Sequence, residues 1–200
     1  LILVAYFPSL PGQTLWNNSG ETVLPQAESE RGVAGILSNT DGSQQYDPLL
    51  RSAFLLQYRL WGGSAQGYHL VSVLLHTLSA GLVVLIMRRL KLPGAWAAGL
   101  IFALHPVCTE AVGIISGQGT ILSGFLFLAA GLIYLHFDEK RSKALYGWAL
   151  ALFLLALLSN AVALTLPLAL VIVLWWKHGR LQLKRDLSPI LPFFAIGAAG

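Results

Sequence analysis

Long apolar runs broken by short basic clusters set the pattern of this chain. Residues 68–87, "YHLVSVLLHTLSAGLVVLIM", are stopped by Arg88, Arg89 and Lys91. A helix of about 20 apolar residues crosses the hydrocarbon of a bilayer, so this run predicts a membrane span. After a "LPG" turn, a shorter span at 94–105 begins "GAWAAGLIFALH" and stops at Pro106, which removes a backbone donor. The next run, 119–137, ends in the charged stretch "DEKRSK". The apolar stretch 144–176 is too long for one crossing. The polar pair Ser159-Asn160 in its middle predicts two short helices, 144–159 and 161–176, joined by a tight turn. Residues 1–10 and 188–200 read as parts of two further spans. The expected fold is a single all-α, polytopic transmembrane helix bundle occupying 1–200, and a chain that starts at Leu1 and stops at Gly200 inside an apolar run reads as a segment of a longer protein.

One polar stretch interrupts this pattern, between about 11 and 67. Its first half is rich in Gly, Ser, Asn and Glu. Its second half, "PLLRSAFLLQYRLWG" at 48–62, has apolar residues at helical spacing with Arg51, Gln57 and Arg59 between them. That spacing predicts an amphipathic helix lying along the membrane surface.

Charge gives the map an orientation. Of the 13 Lys and Arg, ten fall in three connections: Arg88, Arg89 and Lys91; Lys140, Arg141 and Lys143; Lys177, Arg180, Lys184 and Arg185. Two spans separate consecutive clusters, so all three share one side, and the positive-inside rule makes that side cytoplasmic. The opposite side carries Arg31, Arg51 and Arg59 with six of the nine acids, Glu21, Glu28, Glu30, Asp41, Asp47 and Glu110. The 11–67 stretch is then a large first extracytoplasmic loop. Composition agrees with a membrane protein: 56% of residues are hydrophobic, 11% are charged, and mean hydropathy is +0.67, whereas soluble proteins carry roughly a quarter charged residues. The net charge of +4 is dispersed between apolar runs, so it is membrane topology and not a nucleic-acid surface. The single cysteine, Cys108, allows no internal disulfide and no metal-ligand spacing.

No P-loop, GxGxxG, GxSxG or HExxH occurs in the chain. The remaining chemistry lies in polar residues at the outer ends of the spans: Asn17 and Asn18, Tyr46, Asp47 and Arg51, His105 and Glu110, Gln118 and Thr120, and Ser159-Asn160. Five connections placing hydrogen-bonding groups on one side predict a cavity between helix ends. Each residue also has a plainer reading. Asn17 and Asn18 suit a turn, and "NNS" is formally a glycosylation sequon. His105 suits a helix end. Glu110 resists such a reading, being the only acid between Asp47 and Asp138, and an acid at membrane depth needs a partner or a function. His69, Ser72, His76 and Ser79 share one helix face, where hydrogen bonding between helices is the simplest role.

The pieces "GYHL" at 67–70, "IFALHPVCTEAV" at 101–112 and "LLSNAVALTLP" at 157–167, with the flanking sequence from about Tyr46 onward, resemble the membrane portion of the tetratricopeptide-repeat O-mannosyltransferase-like proteins of the glycosyltransferase C superfamily. The resemblance implies a glycosyltransferase C-like bundle of many transmembrane helices in a bacterial inner membrane or the endoplasmic reticulum, its polar site facing away from the cytoplasm. It implies transfer of a sugar from a polyprenyl-phosphate donor held in membrane lipid to a protein or glycan acceptor, with no nucleic acid involved. It supplies no metal ligands, although a divalent cation shared with a donor phosphate fits such chemistry.

The resemblance assigns catalysis to the positions of Asn17, Asn18, His105 and Glu110, and substrate binding to Tyr46, Asp47, Arg51, His69, Gln118 and Asn160. Several of these depart from the family's pattern. Acids follow the tryptophan in related sequences, where Asn17 and Asn18 stand here, and an amide has no basic site with which to accept a proton. Asp47 replaces an arginine, Gln118-Gly119-Thr120 replaces a basic-acidic pair, Asn160 replaces a lysine, and Cys108 replaces a histidine. Fewer cations weaken the hold on a phosphate. The expectation is therefore an O-mannosyltransferase-like membrane protein whose site is degenerate or repurposed, an enzyme only if Glu110, Asp47 or Glu21 serves as base, with a non-catalytic module binding lipid, glycan or a partner protein as the alternative.

Overall fold

The computed structural model of the chain describes residues 48–62, 64–105, 108, 111–112 and 115–199, and the regular elements among them are all helical. Among these residues seven α-helices occur: α1 Pro48–Trp61, α2 Ala65–Arg89, α3 Ala95–Leu104, α4 Gln118–Lys140, α5 Lys143–Leu157, α6 Leu166–His178 and α7 Leu191–Ala199. Single 3-10 turns at Ile115–Gly117 and Ala161–Thr165 lead into α4 and α6, and one π-helical turn, Leu183–Leu187, precedes α7. Three stretches are long and apolar enough to cross a bilayer: α2, α4 and Ala161–His178. Helices α3 and α5 are apolar but shorter. The chain is an all-α integral membrane protein, the class its apolar pattern predicts.

Short connections force α2 to α6 to run up and down against one another, with α2 packed on α3 and α4, and α4 on α5. One end of the bundle therefore gathers the starts of α2 and α4 and the end of α5. Helix α1 lies across that end. Along its length it meets those termini: the Leu49 N–H donates to Leu158 O at 3.1 Å, Phe54 packs on Tyr68 and Ile115, and Gln57 bonds Gln118. A β-carbon added at Gly119 would come within 2.8 Å of Leu50 Cδ2, so the glycine lets α1 sit directly on the first turn of α4. Leu56, Leu60 and Trp61 of α1 stay exposed, giving the helix an outward apolar face suited to lipid.

The opposite end collects the basic clusters. Arg88 and Arg89 close α2, Lys140 closes α4, Lys143 opens α5, and Lys177 and His178 close α6. Trp96, Trp148, Trp175 and Trp176 ring the same end and are 53–70% exposed, an interfacial aromatic belt. Two different close contacts hold the bundle between these ends. Any side chain at Gly99 of α3 would collide with Val84 of α2, so the two backbones approach as small-residue membrane packing requires. Between α4, α5, α6 and α7 the fully buried rings of Tyr134, Phe153 and Phe193 pack with Phe137, at centroid separations of 5.1–5.6 Å.

Candidate functional site

Asn17, Asn18, Tyr46, Asp47 and Glu110 lie outside the described residues. The other sequence-derived candidates do not form one group. Gln118, Asn160 and Arg51 are at the α1 end. Gln118 is buried and joined to Gln57 by a reciprocal amide pair, Gln57 Nε2 donating to Gln118 Oε1 at 3.1 Å and Gln118 Nε2 to Gln57 Oε1 at 3.2 Å. Asn160 caps the turn before α6, its Oδ1 accepting from Val162 N at 2.9 Å, and its Nδ2 donates to Thr120 Oγ1 at 3.5 Å. Beside it Ser159 Oγ donates to Gly119 O, and Ser123 Oγ donates to Ala156 O. These side chains tie α1, α4 and the α5–α6 connection together. Arg51 follows on the first turn of α1, half-buried.

His105 lies deeper than that end. Helix α3 has only ten residues, and the carbonyl of Ala103 accepts from His76 Nε2 at 3.2 Å. His76 lies at mid-length in α2, about 16 Å from Ala65 at about 1.5 Å per residue. His105, two residues past Ala103, is thus set near the depth of the middle of α2. It is extended, with φ −66° and ψ 131°, because it precedes Pro106, and a residue before proline is held out of the helical region. The chain then returns toward the α1 end. Cys108 N–H donates to His105 O at 2.9 Å, Val112 is buried against Val73 and Ile121, and Ile115 packs under α1. Among the described residues between α3 and α4, Val112 and Ile115 are buried, whereas His105 is exposed and Cys108 half-buried.

This connection faces the polar stripe of α2. His69, Ser72, His76 and Ser79 are all buried, at 1–3% exposure. The two deeper residues are bonded, His76 to Ala103 O and Ser79 to Leu75 O in its own helix. Among the described residues the two nearer the α1 end make no hydrogen bond of good geometry: the hydroxyl of Ser72 and both ring nitrogens of His69 are buried, and His69 has only a loose contact with the Val112 backbone. Interhelical bonding thus accounts for His76 alone. An unpaired buried hydroxyl costs about 1–3 kcal/mol. Ser72→Ala is expected to raise stability in detergent by about 1 kcal/mol, read as an upward shift in thermal unfolding; a fall would mean that the fold itself uses the hydroxyl.

Cys108 is a reporter on the same connection. Partial burial pushes its thiol up from the ordinary range. The thiolate is the reactive form, so maleimide labelling at pH 7.5 is expected to be slower than for an exposed thiol and to keep climbing beyond pH about 8.5, where an ordinary thiol is half ionised. Stopped-flow labelling of this single cysteine checks it.

Residues of the basic end escaped the sequence reading. Asp138, only 3% exposed, accepts from Arg141 Nη2 at 2.8 Å and Lys177 Nζ at 2.9 Å, and lies 3.2 Å from His178 Nε2. Asp186, 1% exposed, is 3.6 Å from His178 Nδ1 and accepts from Gln182 N. Asp138, His178 and Asp186 could supply three metal-ligand atoms within 4.8 Å of one another. Arg141 and Lys177 already bond both oxygens of Asp138, so the arrangement is an ionic hub joining α4, α6 and the π turn. Arg141 reaches it from a left-handed conformation, φ 50°, that normally selects glycine, and its guanidinium also donates to Arg185 O. A pair of sequence signals could have found the hub: Asp138 and Asp186 are two of the few acids that lie among the basic clusters.

With the geometry placed, comparison with known proteins shows what the chain is similar to. The chain is 37% identical over 115 residues to the Protein O-mannosyl-transferase tmtc2 of Xenopus laevis, covering 56% of this chain and 14% of that protein. It is 38% identical over 137 residues to the Protein O-mannosyl-transferase Tmtc1 of Drosophila melanogaster, covering 67% and 16%. This chain is O-mannosyltransferase-like. The Protein O-mannosyl-transferase F38B6.6 of Caenorhabditis elegans extends the similarity to 187 residues, 86% of the chain, at 29% identity and 26% of that protein. The chain thus spans between about one ninth and one quarter of the length of the curated relatives it matches. No family model and no solved structure matches it.

Proposed function

We propose that this O-mannosyltransferase-like segment carries part of a sugar-transfer site at the α1 end, using a polyprenyl-phosphate-linked sugar and a hydroxyl of a protein acceptor on the side away from the basic clusters. The observation carrying this reading is the pair of buried, poorly satisfied groups, His69 and Ser72, on the face of α2 against Val112, which follows Glu110 by two positions in sequence. Buried polar groups without partners are retained where a ligand completes them. The relatives' names add mannose and a protein acceptor to the proposal.

In the proposed step Glu110 takes the proton of the acceptor hydroxyl. The hydroxyl oxygen forms a bond to the anomeric carbon as the bond from that carbon to the donor phosphate breaks, and the electron pair leaves with the polyprenyl phosphate. Arg51 offers charge to that phosphate, with Tyr46 and His69 as further contacts and His105 set deeper, near the middle of α2. Asn17, Asn18 and Asp47 belong to the same proposed site through the first loop. A divalent ion would share the phosphate charge.

A second reading has its own observation. Gln118 and Asn160 stand where the family pattern has charged side chains, and here both are engaged in bonds that hold the fold. A module that keeps the bundle and binds lipid, glycan or a partner without chemistry accounts for that. Reconstitution of the full-length protein in proteoliposomes with polyprenyl-phosphate mannose and a hydroxyl-bearing peptide separates the two. Transfer supports the enzyme; a silent parent that stays silent in Asn17→Asp, Asn18→Asp leaves the binding module.

A further inference from the structure

A second feature lies at the other end of the bundle and is independent of sugar transfer. An apolar cleft of about 180 Å³ runs between α2, α4 and α6, lined by Ile86, Phe127, Gly131, Leu135, Ala169 and Val173 among others, with no polar lining atom. Most of these side chains are only half-buried, so the cleft opens toward the lipid. It is too small for a typical small-molecule site, which needs about 300 Å³ or more. Its shape suits a hydrocarbon chain. From Phe127 to Leu135 the lining runs about 12 Å along α4 at about 1.5 Å per residue.

Each helix that walls the cleft carries a charged residue one turn beyond it, toward the basic end: Arg89 after Ile86, Glu139 after Leu135 and Lys177 after Val173. Those three side chains are linked, Glu139 accepting from both Arg89 Nη2 and Lys177 Nζ. Together with that turn the cleft reaches about 18 Å from the charges, close to the half-thickness of a roughly 30 Å hydrocarbon core. One buried donor at its mouth is unsatisfied: Arg89 Nε makes no hydrogen bond. Around it the end of the bundle holds ten Lys and Arg (Arg88, Arg89, Lys91, Lys140, Arg141, Lys143, Lys177, Arg180, Lys184 and Arg185) against three acids (Asp138, Glu139 and Asp186), a net +7 before histidine is counted.

We propose that this cleft holds one acyl chain of an anionic glycerophospholipid of the surrounding leaflet, with the lipid phosphate accepting from Arg89 Nε beside Lys177. Depth, an apolar wall and a cationic mouth coincide on the same three helices. A clustered basic surface against a membrane attracts anionic headgroups. The occupant is a bilayer lipid and not the polyprenyl donor, because the proposed transfer site, with Arg51 and the His69–Ser72 pair, is at the opposite end of α2 and α4.

The test uses the full-length protein in nanodiscs containing phosphatidylglycerol with a photoactivatable diazirine in one acyl chain, and a matched phosphatidylcholine probe. Adducts are expected on peptides covering 127–135 and 166–173, with yield falling about fivefold for each cation removed in Arg89→Gln and Lys177→Gln. Because those changes also disturb the ionic hub, Gly131→Leu provides the second arm. It fills the cleft while leaving the charges, a β-carbon there meeting only Leu166 Cδ1 at 3.9 Å, and it should abolish the adducts with unfolding temperature unchanged. Equal labelling by the two probes, undiminished labelling in Gly131→Leu, or displacement of the probe by polyprenyl phosphate would each overturn the assignment.

Discussion

Glu110→Gln is expected to lower sugar transfer in proteoliposomes by about 10²- to 10⁴-fold, the range general-base removal produces. In activation free energy that is about 3–5 kcal/mol. Glutamine keeps the size and hydrogen bonding of glutamate but has no lone pair that binds a proton near neutral pH. The same deficiency disqualifies Asn17 and Asn18, and of the acids left, Glu110, Asp47 and Glu21, the proposed reading assigns the base to Glu110. KM for the donor should move far less than kcat, because the base acts on the acceptor, and the acid limb of the pH–rate profile should disappear. Retention of more than about a tenth of parental turnover would put the base elsewhere, with Asp47→Asn the next variant to assay.

Asp138→Ala has the largest expected effect on stability. The carboxylate is 3% exposed and bonds Arg141 and Lys177, with His178 beside it. Removing it leaves Lys177 with Glu139 at 3.3 Å, and Arg141 with the Arg185 carbonyl and Asp186 at 3.8 Å. Breaking a fully buried pair costs about 3–5 kcal/mol; here Arg141 and Lys177 are 36% and 22% exposed, and water recovers part of their solvation, so about 2–3 kcal/mol is expected. The loss should appear as a lower unfolding temperature in detergent. Asp138→Asn, Lys177→Met together should cost less than the sum of the two single changes, since one partner's removal relieves the other's. A loss below about 0.5 kcal/mol for Asp138→Ala would mean that solvent screens the hub as it does surface pairs.

The fold class was legible because hydropathy acts locally: a run such as 68–87 declares a span from its own residues, and α2 contains it. The site was legible only in part. Gln118 reads as a ligand group in sequence, yet its partner Gln57 is 61 positions away and nothing local pairs them. The depth of His105 depended on where α3 sits along α2, set by the Gly99–Val84 approach and the His76–Ala103 bond. The hub at Asp138 required α4, α6 and the π turn to meet, and charge patterning alone counted Arg141 and Lys177 only as members of the basic clusters that orient the chain. In the stripe His69–Ser79 the periodicity gave the shared face, while which members are bonded followed from α3 ending opposite His76.

The brevity of α3 also constrains how the protein is made. A ten-residue segment is about 15 Å long, half of what a bilayer demands, and its last carbonyls have no partners within the helix. Released alone by the insertion machinery, it would expose those groups to hydrocarbon. The bond from His76 to Ala103 and the glycine-mediated contact with Val84 mean that α2 supplies both the wall and one of the missing donors. Biogenesis must therefore deliver α2 and α3 into the lipid as one hairpin, and the nascent chain has to be held until the stretch leading to α4 has emerged.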